Sequence, residues 1–268
     1  MCGRLIIHGA TPPAENMAVD EALLLACEDG AQGFPALRFY WWTVPTLSLG
    51  AKEKAAEAAD IDECQSRGIS LVRRSTGGRA VLHDIELTYS IVGRLGEIPF
   101  KGSVTSSYGV IAGALLDGLR SLGAGLELAA GVRRSRGAHM PCFAAPSRFE
   151  LAAAGRKVVG SAQRRLRNAV LQHGSILIRP QAELLAAATG LDSSAAAILA
   201  QSMTGLEELL AGPVPREEII DALLPPMSQV LGELAHGDIT GQERETSRSL
   251  LSAGRFEVKT GYETAASI

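Results

Sequence analysis

Long apolar runs are missing from this 268-residue chain. None approaches the ~18 residues that a membrane-spanning helix needs, and the N-terminus lacks the extended apolar core of an export signal. Cysteine is scarce as well. Cys2, Cys27, Cys64 and Cys142 are widely separated, which argues against a zinc knuckle or a C-x-x-C redox pair and suits a reducing cytoplasm. Several catalytic signatures are absent. There is no G-x-x-x-x-G-K-[ST] phosphate loop and no G-x-G-x-x-G after a strand, and neither H-E-x-x-H nor G-x-S-x-G occurs. Zinc-protease and α/β-hydrolase chemistry therefore have no support. Net charge is only −3, which by itself implies no nucleic-acid partner. Internal repeats and long linkers are also lacking.

What is present is a large apolar fraction, 46%, ample for one sizeable core. Leu5–His8 reads as an opening strand. Glu15–Cys27 reads as a helix with Met17, Leu23, Leu24 and Cys27 on one stripe and Asp20, Glu21 and Glu28 elsewhere. Strands are predicted at Leu37–Trp42, Thr46–Leu49 and Ile69–Arg73, with a short helix at Asp60–Arg67 stopped by Gly68. Glu86–Val92 is a strand expected to end at Gly93, and Ser103–Leu122 is the longest helix. After a short strand at Leu126–Leu128, an apolar run, a Gly turn and a second run predict a hairpin around Gly155. Ala169–Ile178 is a strand in which Gly174 suggests a bulge. From Gln181 the chain is helical, near 181–188, 194–201, 215–233 and 240–253, with joints at Gly212-Pro213 and Pro225-Pro226. Strands early and helices late predict an α+β fold with mixed or antiparallel sheets flanked by helices.

The chemistry concentrates around Pro141-Cys142-Phe143, a thiol in a Pro-bracketed loop, and Lys157, just past the hairpin turn. A cation near a thiol favours the nucleophilic thiolate; a buried structural cysteine beside an unrelated lysine is the plainer alternative. Cys27 reads as core. From Gly131 to Arg167 nine basic residues face Glu150 alone, a local +8 that leaves −11 elsewhere. Such a patch suits an acidic partner, or is simply a solvated hairpin face. Arg73-Arg74-Ser75-Thr76-Gly77-Gly78-Arg79 sets paired glycines between strands, where backbone N–H groups can hold a ligand oxygen or merely turn the chain. His83 and His173 are each a candidate base or a satisfied histidine at a strand end. His139, three residues before Cys142, ranks below Lys157 as its partner, and His8 and His236 have no constellation around them.

Arg73-Arg74-x-x-Gly77-Gly78-Arg79-Ala80-Val81-Leu82-His83-Asp84 resembles the signature loop of the biotin/lipoate A/B protein ligase superfamily. Asn16-Met17-Ala18-x-Asp20-Glu21-Ala22 is similar to its N-terminal helix. Gly155-Arg156-Lys157-Val158-Val159-Gly160-Ser161-Ala162-Gln163 and Leu171-Gln172-His173-Gly174-Ser175-Ile176-Leu177 resemble its lysine hairpin and the following strand. Two departures choose a branch. Arg79 stands where ATP-using ligases carry a third glycine, and Cys142-Phe143-x-x-Pro146-Ser147-x-Phe149-Glu150 replaces their Asn-Asp region. This Cys142 region is similar to that of LipM-type octanoyltransferases, whose cysteine lies in this loop and whose lysine lies fifteen residues on.

The resemblance implies a biotin/lipoate ligase-like catalytic domain over residues 1–235, with a C-terminal helical extension, 236–268, packed on it and no room for the accessory domain of full-length ligases. It implies octanoyl transfer from octanoyl-acyl carrier protein to a lipoyl-domain lysine, such as that of the glycine-cleavage H protein, through a thioester on Cys142 assisted by Lys157. Substrate contacts are implied for Arg73, Gly77, Gly78, Arg79, His83, Gly160, Ser161, Ala162, His173 and Gly174. Exchange of one thioester for another needs no ATP, cofactor or metal. The expected protein is a cytoplasmic monomer whose partners are acyl carrier protein and a lipoyl-domain protein, with neither nucleic acid nor membrane. The rival readings are a single-domain ATP-dependent lipoate ligase, an octanoyl amidotransferase between lipoyl-bearing proteins, and a lipoyl-binding protein without chemistry.

Overall fold

The computed structural model describes residues 2–129 and 149–258. In chain order the strands are β1 (Gly3–Thr11), β2 (Ala36–Trp42), β3 (Thr46–Leu49), β4 (Ser70–Arg73), β5 (Val81–His83), β6 (Glu86–Arg94), β7 (Glu127–Leu128), β8 (Leu151–Ala153), β9 (Arg156–Arg165), β10 (Ala169–Leu177) and β11 (Leu234–His236). The helices are α1 (Pro13–Glu28), α2 (Ala55–Ala58), α3 (Ile61–Ser66), α4 (Val104–Ser121), α5 (Ala182–Ala188), α6 (Ser193–Ser202), α7 (Leu206–Leu209), α8 (Arg216–Leu231) and α9 (Gly241–Ser252). The main sheet runs β11-β1-β2-β6-β10-β9-β8-β7, with β1 parallel to both β2 and β11 and the other pairs antiparallel. A small sheet, β4-β3-β5, is parallel on one side of β3 and antiparallel on the other. The predicted α+β architecture with mixed sheets and flanking helices is the one observed. Among the described residues no helix is long and apolar enough to cross a membrane.

Strand alternation divides the main sheet into two chemically distinct faces. Leu37 and Phe39 of β2, Leu87, Tyr89 and Ile91 of β6, and Val170 and Ile176 of β10 enter one apolar core with α4 and α8. The intervening positions face α1 and are more polar: Arg38 and Tyr40 of β2, Ser90 of β6 and His173 of β10 all reach Asp20 of α1. Helix α9 covers the far side of α1, started by a capping box in which Thr240 and Glu243 satisfy each other's backbone N–H groups.

Four local expectations change. Asp20 and Glu21 do not sit on a solvated side of α1; both are buried, Asp20 against Arg38, Ser90 and His173 of the sheet face beneath the helix and Glu21 against Arg164 of β9 and Arg255. Gly93 does not end β6, which continues to Arg94. A side chain there would press on the Phe100 ring at 3.0 Å. Gly174 marks no bulge, since β10 keeps unbroken register with both neighbours. Pro225-Pro226 lies inside α8 rather than at a joint.

The lysine hairpin follows from two residues. Ala154 and Gly155 have φ of 48° and 77°, the paired positive values that a two-residue type I′ connection requires. They return the chain as β9 with Lys157 opposite Ala152.

Candidate active site

A cleft of about 490 Å³, including its open mouth, lies on the α1 side of the main sheet beside the small sheet. Met17, Tyr40, Trp42 and Val81 form its apolar wall. Of the sequence-predicted contact residues, Gly78, His83, Gly160, Ser161, Ala162, His173 and Gly174 all line it, converging from the glycine loop and strands β5, β9 and β10.

Three hydrogen-bonded sets fix these groups. In the first, His173 Nε2 is 2.7 Å from Thr76 Oγ1 and its Nδ1 is 3.2 Å from Asp20 Oδ2. Asp20 also accepts from Arg38 at 2.8 Å, Tyr40 at 2.9 Å and Ser90 at 2.8 Å. Burial pushes the Asp20 carboxyl up, but His173, Arg38 and Ser90 outweigh it and hold the pKa at about 2. In the second, His83 Nε2 is 2.8 Å from Ser48 Oγ, its Nδ1 faces Glu86, and its ring stacks on Trp42 at 4.2 Å. Burial lowers the His83 pKa, with Arg74 and His173 lowering it further against Glu86. In the third, Ser161 Oγ is 2.7 Å from Tyr89 Oη, which Gln172 also contacts.

Arg74, not Arg73, lines the cleft. The Arg74 guanidinium donates to Ser48 O at 2.7 Å, Gly77 O at 3.0 Å and Arg79 O at 2.7 Å, and so shapes the glycine loop from within. The Arg73 guanidinium turns away to Gly50 O and Glu53 O. Gly77 and Arg79 are in the loop but not among the lining residues. Gly78 has φ of 101°, which favours glycine, and an added Cβ would lie 2.9 Å from Arg74. From Gly160 to Arg165, β9 has a strand partner on its β10 side only among the described residues. Alternate backbone groups there face off the sheet beside the cleft.

Lys157 is fully buried, and its ammonium donates to Glu150 at 2.7 Å. Ala129 N donates to Glu150 O at 2.8 Å, and Phe149 N to Ala129 O at 3.3 Å. The two ends of the segment 130–148 are therefore tied together next to this ion pair. Cys142, His139 and the basic residues Arg133, Arg134, Arg136 and Arg148 lie outside the described residues.

The sequence profile of the lipoyl protein ligase A/B catalytic domain matches residues 12–227. The chain belongs to this family. Within the lipoyl protein ligase A/B family it is a LipM-type member. It is 39% identical over 260 residues to the octanoyltransferase LipM of Kyrpidia tusciae, covering 93% of this chain and 94% of that protein. It is 50% identical over 182 residues to the octanoyltransferase LipM of Carboxydothermus hydrogenoformans, covering 68% and 67%. Among solved structures, a lipoate-protein ligase A bound with ATP superposes with TM-score 0.77 at 26% identity, over 94% of this chain and 95% of that one. A T. acidophilum protein with bound lipoic acid gives TM-score 0.78 at 25% identity over 94% and 95%.

In this lipoyl protein ligase A/B chain the two buried thiols, Cys27 and Cys64, are ill suited to attack. Burial pushes Cys27 up to about 12 and Cys64 up to about 11, so both stay protonated at neutral pH. Asp20, Arg38, Thr76, Ser48, Tyr40 and Glu150 are the residues that sequence reasoning left without a role. Asn16 and Asp20, four apart on α1, were the available signal: Asn16 Oδ1 and Asp20 Oδ1 both accept from Arg38 at 2.8 Å. His8 also gains a constellation, accepting from Arg38 at 3.0 Å and meeting Asp238 at 2.9 Å. Arg164 and Arg165 are less available to a partner than their clustering suggested. Arg164 reaches Glu21 at 3.2 Å, and Arg165 is held by Gln163, Gly102 and Ser107. Among the described residues no group of three or more His, Cys, Asp or Glu side chains is placed to hold a metal ion.

Proposed function

We propose that this chain transfers an octanoyl group from octanoyl-acyl carrier protein to a lipoyl-domain lysine, such as that of the glycine-cleavage H protein, through a thioester on Cys142. The observation that carries this reading is the tie between the ends of the Cys142 segment and the buried Lys157–Glu150 pair, beside a largely apolar cleft. The octanoyltransferase names of relatives that span nearly the whole chain support it.

The Cys142 thiolate attacks the thioester carbonyl of the donor. The carbon–sulfur bond to the carrier breaks, and the carrier thiol leaves with a proton. The acceptor amine then attacks the acyl-enzyme, forms the amide and loses a proton as Cys142 departs. Splitting one transfer into two is the gain of covalent catalysis. Lys157 supplies positive charge near the thiol. Backbone N–H groups of Gly77-Gly78 and Gly160-Ser161 steady the oxyanion of each tetrahedral intermediate. The apolar wall of Met17, Tyr40, Trp42 and Val81 takes the acyl chain. Arg79 serves from the loop rather than the lining, Arg73 braces the neighbouring chain through Gly50 O and Glu53 O, and His83 and His173 orient the groups around the carbonyl.

The test is donor dependence. Purified chain with a lipoyl-domain protein should form the octanoyl amide from octanoyl-carrier protein without nucleotide. Amide that forms only from free octanoate and ATP would favour the ligase reading. Amide that forms only from an octanoylated lipoyl protein would favour the amidotransferase.

A further inference from the structure

The wall of the cleft has a backing that comes from the far end of the chain. Met17, Tyr40 and Trp42, which line it, share one buried apolar cluster with Ala18, Val72 and Phe256. Phe256 is 2% exposed and lies beyond the residues matched by the family profile. Its segment is fastened to both elements that bound the cleft. Arg73 N donates to Phe256 O at 2.9 Å, and Val72 and Glu257 form an antiparallel bridge, so the segment extends the edge of β4 just before the glycine loop. Arg255 reaches Glu21 of α1 at 3.3 Å.

We propose that Phe256 is a specificity-determining residue that acts through Met17 and Trp42, setting how deep an acyl chain the cleft accepts. This rests on the reading above, that the cleft holds the acyl chain. Protein interiors are close-packed, so wall side chains keep their positions only while the space behind them is filled. Removing the ring leaves a void into which the wall can partly relax. Apolar pockets discriminate by roughly 10–200-fold per methylene, so a small retreat of the wall should show in chain-length preference before it shows elsewhere.

The experiment measures kcat/KM of the full chain for hexanoyl, octanoyl, decanoyl and dodecanoyl thioesters of N-acetylcysteamine. Phe256→Ala should raise the decanoyl-to-octanoyl ratio about tenfold, the low-end discrimination of one methylene although decanoyl adds two, because the wall retreats only part-way into the void. Phe256→Leu, a milder change that cores usually tolerate, should shift the ratio the same way by less. If Phe256→Ala does not fold, Phe256→Leu decides. An unchanged ratio in a folded variant, even with a lowered Tm, overturns the proposal, because a plain packing role would slow all chain lengths alike. Failure of the unmodified chain to transfer any acyl group would instead defeat the functional reading, and this inference with it.

Discussion

The Lys157 ammonium donates to Glu150 Oε1 at 2.7 Å, and both side chains are closed off from solvent. The pair joins the lysine hairpin to Glu150, just past the segment that carries Cys142 in the sequence. Breaking such a pair from one side leaves a buried charge and costs about 3–5 kcal/mol, whereas replacing both partners by apolar groups is often neutral. Lys157→Met should therefore lower stability by about that amount in urea denaturation and abolish octanoyl transfer. The double variant Lys157→Met/Glu150→Leu should recover most of the stability and none of the transfer. Recovery of activity in the double variant would remove Lys157 from the chemistry.

Asp20 predicts a stability signature at acid pH. Its pKa falls from 3.8 to about 2 because His173, Arg38 and Ser90 outweigh burial. A depressed carboxyl contributes stability that is full above the unfolded value and lost as pH falls through the folded one. The displacement corresponds to roughly 2 kcal/mol. The charged and titratable groups facing Asp20 are Arg38 and Tyr40 from β2 and His173 from β10, with the Ser90 hydroxyl from β6. Asp20→Asn lacks the titrating group, so the stability gap between it and the unmodified protein should narrow between about pH 4 and pH 2. A constant gap across that interval would contradict the assignment.

Contiguity explains how much of this site was legible in the sequence. The glycine loop, the lysine hairpin and the strand through His173 are each written in one short stretch, and turn glycines and alternation place them. Seven of the ten anticipated contact residues meet in one cleft. The groups that orient them come from elsewhere: Thr76 and His173 are 97 residues apart, and Asp20 and His173 are 153. Hydropathy assigns an acidic residue such as Asp20 to solvent, and only the sheet face packed beneath α1 reverses that. Gly174 shows the same limit. Its pattern suggests a bulge, but its reason is the crowding of Gly160, Tyr89 and Ser161 around the backbone.

Gly174 and Gly78 give a paired prediction. A Cβ at Gly174 would meet Gly160 O at 2.6 Å, Tyr89 Cε1 at 2.7 Å and Ser161 Oγ at 2.8 Å. Gly174→Ala should push β9 from β10 and destabilise the fold by about 1–3 kcal/mol through overpacking, lowering both Tm and activity. Gly78→Val acts on an exposed loop at positive φ. It should spare the core, lowering Tm little, while abolishing acyl transfer through displacement of Arg74 and the loop amides. Thermal denaturation alongside turnover separates the two; a folded Gly78→Val protein with full turnover would mean that the loop is only a turn.

The central claim is the covalent intermediate, and intact-mass spectrometry of the enzyme after brief mixing with octanoyl-carrier protein tests it most directly. One octanoyl mass should appear without ATP, persist in Cys27→Ser and Cys64→Ser, and vanish in Cys142→Ser. An octanoyl adduct that survives Cys142→Ser, or that forms only when ATP is supplied, would contradict the account.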